Sequence, residues 1–163
     1  MNAVDIVLIV VFTACAIRGY WRGFFRELFG LLGLVAGGLA AIVYTTEATE
    51  FLEGYTTLAP PILTGLAFGG IFIIVHTGVN LLGLLFDRLA KAIYLRGINR
   101  LAGAAFATTK GAAVMAVLLF GVHLSQVVPA LDEQIMSSTI GRPLVLAAGD
   151  FIDAAQAEAQ EKT

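Results

Sequence analysis

Long apolar runs broken by basic turns predict an all-α fold: a multi-pass transmembrane helical bundle of four spans, with an external amphipathic helix toward the C-terminal end. Three observations carry this expectation. The first is composition: of 163 residues, 58% are hydrophobic and 13% charged, with a mean hydropathy of +0.87, so the chain is far more apolar and about half as charged as an ordinary soluble domain. The second is run length, since the apolar stretches approach or exceed the roughly 20 residues that cross a bilayer as a helix. The third is where the cations fall. Of ten Lys and Arg residues, seven sit in the turns after the first and third runs and none in the turn after the second.

The first run, Ile6 to Ile17, follows Asp5 and extends to the interfacial aromatics Tyr20 and Trp21. No Lys or Arg precedes it, so a cleaved signal peptide is not expected. Arg18, Arg22 and Arg26 follow at four-residue spacing with Gly19 and Gly23 beside them. The plain reading is a positive turn that sets topology; the sharper one is a short segment whose arginines meet lipid phosphates. A second span runs from Leu28 to Tyr44, with Gly30, Gly33, Gly37 and Gly38 suited to close helix packing.

Glu47, Glu50 and Glu53 then form an acidic turn closed by Pro60 and Pro61; three carboxylates in such a row read as a solvated surface rather than a metal site. Ile62 to Phe86 is the third span, with Gly65 and Gly69 as a small-residue pair. The second basic turn carries Arg88, Lys91, Arg96 and Arg100, and the fourth span, Leu101 to Leu124, places Gly103, Ala107 and Gly111 in one line. Residues 126–163 read as a separate external region beside the membrane domain 1–125: a polar linker, a helix from Pro143 with Leu144, Ala148, Phe151, Ile152 and Ala155 on one side, and a frayed tail. The positive-inside rule puts both basic turns in the cytoplasm and both termini outside.

Three residues stand out inside the spans. Lys110 lies ten positions past Arg100, about 15 Å deep, and a lysine there needs a partner or a route to water. By the same ruler Asp5 and His76 lie roughly 20 and 16 Å from the basic turns. An intramembrane polar cluster of Asp5, His76 and Lys110, with Asn80 one turn from His76, is therefore expected. It serves as an ion pair that registers the helices, as a proton or ion path, or it dissolves into a snorkelling Lys110 and an Asp5 that caps the first helix.

Other chemistries find little support. One cysteine, Cys15, excludes an internal disulfide and a cysteine metal site, and a net charge of −2 gives no basic face for nucleic acid. Ser125, Ser137 and Ser138 lie near His123 without a nucleophile elbow. No catalytic residue, metal or cofactor is expected, and the expected partners are the lipid bilayer, a second copy of the chain or other membrane proteins.

Asp5 near the start of the first span, the turn Arg22-Gly-Phe-Phe-Arg-Glu27, and Asn99-Arg-Leu-Ala-Gly103 followed by Lys110-Gly111 resemble, in order and spacing, the colicin V production family of bacterial inner-membrane proteins. The resemblance covers roughly residues 3 to 145; where members often carry glycine, this chain has Ala107, which keeps the small-residue line. It implies a multi-pass inner-membrane protein without catalytic activity, tied to colicin V production or export, hence toxin biosynthesis, and to envelope homeostasis. Related four-span modules anchor outward-facing proteases. The expected function is thus non-enzymatic support of toxin export through helix-helix contacts; the alternative is a small transporter or channel subunit using the Asp5, His76 and Lys110 cluster.

Overall fold

The computed structural model describes residues 2–56, 58–92, 95–125 and 129–161, with backbone alone at 91, 92 and 161. Among these residues the fold is all-helical, 92% helix without strands. The elements are α1 (Ala3–Arg22), α2 (Phe24–Glu53), α3 (Pro60–Ala92), α4 (Arg96–Ser125), α5 (Pro129–Met136) and α6 (Gly141–Glu161). The first four are long and apolar enough to cross a membrane by length and composition, and they mark the chain as a membrane protein. At about 1.5 Å per residue the 30 residues of α2 reach roughly 45 Å, well beyond a 30 Å hydrocarbon core. The helices therefore continue into the stretches that the sequence assigns to turns. Glu47, Glu50 and Glu53 end α2, and Arg88 lies within α3.

The helix ends are set by local chemistry. Asn2 caps α1: its Oδ1 accepts the Asp5 amide at 3.1 Å, while Asp5 Oδ2 accepts the Asn2 amide at 3.1 Å, a reciprocal capping box. Gly23 alone separates α1 from α2, at φ 83 and ψ 160, backbone that essentially only glycine adopts. Pro60 and Pro61 open α3, where their missing amides cost nothing.

The chain forms two compact units, Tyr20–Gly103 and Met1–Gly19 with Ala104–Thr163. In the first, α2 and α3 pack along a row of small residues. A Cβ on Gly33 would stand 3.1 Å from His76 Nδ1, and one on Gly37 3.1 Å from the Phe72 carbonyl, so α3 presses its large side chains into the glycines of α2. Toward the other end the roles reverse: a Cβ on Gly83 would sit 2.6 Å from Phe29 Cβ, where Phe29 and Phe86 stack at 5.2 Å. Such close approach gives dispersion contact where lipid supplies no hydrophobic drive.

In the second unit Val4 and Leu8 of α1, Ile135 of α5 and Val145 of α6 form a buried core, with Met115, Leu119 and Phe120 of α4 packed against it. This unit runs through residue 125 into α5 and α6. The expected linker carries α5, and one face of the first half of α6 is seated on α1 and α4. Its seated face is Val145, Ala148 and Gly149; at 100° per residue Phe151 falls well off that line and is 76% exposed. The expected frayed tail continues as helix to Glu161.

Candidate functional site

The buried polar side chains of the spans gather at helix ends, in two clusters. Glu27, Asp87 and Asn99 are at most 5% exposed in the unit of residues 20–103. Asn99 Nδ2 donates to Asp87 Oδ1 at 2.8 Å, and Asn99 Oδ1 accepts the Phe25 amide, one of the orphan donors of the first turn of α2, at 3.3 Å. One amide thus ties the start of α4 to the end of α3 and to the start of α2. Arg22 Nη1 reaches Glu27 Oε1 at 3.1 Å across the Gly23 turn. Gly23 is required twice over, since a Cβ there would lie 2.5 Å from Asn99 Nδ2 and 3.1 Å from Asp87 Oδ1. Arg100 closes the group from outside, its guanidinium 5.4 Å from the Tyr20 ring centre.

The other cluster centres on Asp5, 1% exposed. Ser138 Oγ donates to Asp5 Oδ1 at 2.6 Å and the Ile140 amide donates to the same oxygen at 3.0 Å. Ser138 Oγ in turn accepts the Gly141 amide at 2.7 Å, and the first helical bond runs from the Arg142 amide to the Ser138 carbonyl. Ser138 is therefore the cap of α6, and Asp5 stands beside its positive end. One carboxylate serves the amino ends of two helices. Its donors are Asn2, Ser138 and Ile140, in place of the expected Lys110.

His76 and Asn80 belong to the unit of residues 20–103, Asp5 and Lys110 to the other. Asn80 Nδ2 lies 2.9 Å from His76 Nε2 and 3.0 Å from the His76 carbonyl; with Nε2 accepting, Nδ1 is the ring nitrogen left to donate. That Nδ1 is buried beside Gly33 with no hydrogen-bond partner, and the ring stacks on Phe72 at 5.5 Å. Of the expected packing glycines, Gly111 meets Cys15, whose Sγ would be 2.9 Å from a Cβ there, and Ala107 is buried; Gly19 and Gly103 are buried as well. Gly65 and Gly69 face open space, because α3 turns Leu63, Ala67 and His76 toward α2 and these glycines to other sides. The Lys91 side chain lies outside the described residues.

Residues 4–149 match the family model described as Colicin V production protein. The chain belongs to that family. No curated protein and no solved structure matches it. The Colicin V production match takes in Asp5, the Arg22 to Glu27 turn, Asp87, Asn99 and Ser138, so both clusters lie within the family's extent, and membership supports a role in colicin V production. Sequence reasoning marked Glu27 and Asn99 only as motif letters, weighed Ser138 only as a nucleophile and assigned Asp87 no role. Their signal is a carboxylate or amide placed at the very edge of an apolar run, where a helix end has orphan groups to satisfy.

His123 has an acid in Asp132, Nδ1 to Oδ1 2.7 Å, but Ser138 spends its hydroxyl hydrogen on Asp5. An apolar cavity of about 240 Å³ lined by Val4, Leu8, Met115, Leu119 and Ile135 holds no ionisable group. Among the described residues no three His, Cys, Asp or Glu side chains are placed to hold a metal ion.

Proposed function

We propose that the chain is a non-enzymatic component of the bacterial inner membrane that supports colicin V production or export and envelope homeostasis through helix-helix contacts with itself or with other membrane proteins. The observation that carries this reading is how the polar groups are used. Asp5, Asp87, Asn99 and Ser138 fasten helix ends to one another, and such a frame needs no substrate. The apolar flanks stay uncovered, Ile42 at 70% and Ile74 at 73% exposed, and Gly65 and Gly69 offer a close-approach face on α3.

The test replaces Gly65 and Gly69 together by Leu and reads colicin V release as a zone of growth inhibition at matched protein level. Release falls severalfold if another helix docks there; full release with normal protein level refutes the contact reading. Topology is read in a Cys15→Ala background with single cysteines at Glu50, Lys91, Lys110 and Ala157. Labelling from outside at Glu50 and Ala157 but not at Lys91 supports outward termini, and the reverse pattern overturns them.

One observation favours the second reading, a transporter or channel subunit: the unpartnered His76 Nδ1 inside a span, a group that native proteins rarely leave unsatisfied without cause. In that reading a small polar reagent reaches a cysteine at position 110. Silence there, with Glu50 labelled, removes it.

A further inference from the structure

The two basic stretches lie more than sixty residues apart in sequence, yet the fold brings them to one end of the unit of residues 20–103. The joint is the buried network already described: the Phe25 amide on Asn99, Asn99 on Asp87, and Gly23 against both. Arg100 over Tyr20 is a second tie between the same stretches. In the stretches 20–27 and 87–100 the described side chains include five cations and two carboxylates. Those carboxylates, Glu27 and Asp87, are each 2% exposed and turned inward, so the surface keeps the positive charge. Arg88 and Arg96 are exposed and Arg22 is 39% exposed. Trp21 precedes Arg22 in the last turn of α1 and is 73% exposed. The apolar span Pro60–Ala90 is longer than a hydrocarbon core needs, so the end that carries Arg88 reaches the headgroup region of a bilayer the helix crosses, the level at which an indole also settles.

We propose that this end of the unit is a binding site for the headgroup of an anionic glycerophospholipid, with Arg88, Arg96 and Arg100 on the phosphates and Trp21 against the glycerol and upper acyl region. Guanidinium groups suit the site because each offers a planar fork of donors to phosphate oxygens. A diphosphate lipid fits two basic stretches held side by side better than one. The inference rests on the membrane reading of the four helices but not on which side of the membrane they face.

Trp21 is the single tryptophan of the chain and reports the site directly. The full chain in neutral detergent is titrated with phosphatidylglycerol, cardiolipin or phosphatidylcholine carrying brominated acyl chains, and quenching of Trp21 is followed. Half-quenching is expected at several-fold lower concentration for the two anionic lipids. The variant R88Q/R96Q should lose most of that preference, R88K/R96K should keep most of it, and Arg142→Gln, in the other unit, should leave it unchanged. Far-ultraviolet circular dichroism confirms that the variants remain helical. Equal quenching by anionic and neutral lipids overturns the site, as does a preference untouched by R88Q/R96Q. Full competition by millimolar inorganic phosphate overturns the lipid assignment and leaves a small-anion site. Each of these failures leaves the Gly65 and Gly69 experiment standing on its own result.

Discussion

Replacing Gly23 by Ala puts two separate loads on one atom. The first is conformational: φ 83 with ψ 160 costs a residue with a Cβ about 1–3 kcal/mol. The second is steric, for a Cβ 2.5 Å from Asn99 Nδ2 is well inside contact distance. Asn99 must withdraw, which strips a 2.8 Å bond from buried Asp87 and a 3.3 Å bond from the Phe25 amide. Leaving such buried groups short of partners adds about 1–3 kcal/mol. The sum is about 4 kcal/mol, a large share of the 5–15 kcal/mol that holds a typical domain. Reversible unfolding in mixed micelles, titrated with sodium dodecyl sulfate and followed by helical circular dichroism, measures it. The reference is Gly65→Ala, where the new methyl meets nothing within 4 Å and better helix propensity is expected to leave stability level or raise it by up to about 1 kcal/mol. Asn99→Ala separates the loads: in that background Gly23→Ala retains the dihedral part and the milder 3.1 Å approach to Asp87 Oδ1, and the shortfall is the coupling between the two sites. Equal midpoints for Gly23→Ala and Gly65→Ala refute both the strained turn and the packed amide.

Asp5→Ala removes the partner of Ser138 and Ile140 and should cost about 3 kcal/mol; hydrogen exchange at the Ile140 and Gly141 amides accelerates at least about tenfold, and unchanged exchange there sinks the capping role. Glu27→Ala should lower stability by about 3 kcal/mol because the carboxylate is 2% exposed, whereas Arg22→Ala, whose guanidinium is 39% exposed, should lose less than about 1 kcal/mol. The same unfolding titration ranks them, and the reverse order contradicts the burial argument. Gly83→Leu drives its side chain into Phe29, 2.6 Å from the Cβ position, and should lower the folded fraction sharply. Gly78→Leu on the open side should not.

The parts legible in the sequence are those written in short-range pattern. Apolar run length gives α1 to α4 their identity, and the spacing of Gly30, Gly33 and Gly37 marks the face of α2 that meets α3. Asn2 and Asp5 form a cap across three residues, within reach of local reasoning. Partnerships across long separations were beyond it. Depth along a helix axis orders residues in one dimension only, so Asp5, His76 and Lys110 fall at similar heights while their azimuths stay undetermined. Asp5 finds Ser138, 133 positions away, because the start of α6 offers two donors to a carboxylate that can accept both. Which stripe of α6 packs inside its unit is hidden for a related reason: a helix rich in Ala offers several apolar stripes, and only the actual neighbours, Phe120 beside Gly149 among them, select one.

The shared carboxylate also imposes an order in time. Asp5 leaves the ribosome 133 residues before Ser138, which at about 5–20 residues per second is an interval on the order of ten seconds. Throughout it the first helix is already made, while the serine and amide that will hold its charged first turn are not. Some other host, such as water, headgroups or the insertion machinery, must shelter that carboxylate until residues 138–141 arrive. A nascent chain that stops short of Ser138 carries the Asp5 carboxylate without the two donors that arrive with residues 138–140. That is a mark by which unfinished copies differ from finished ones.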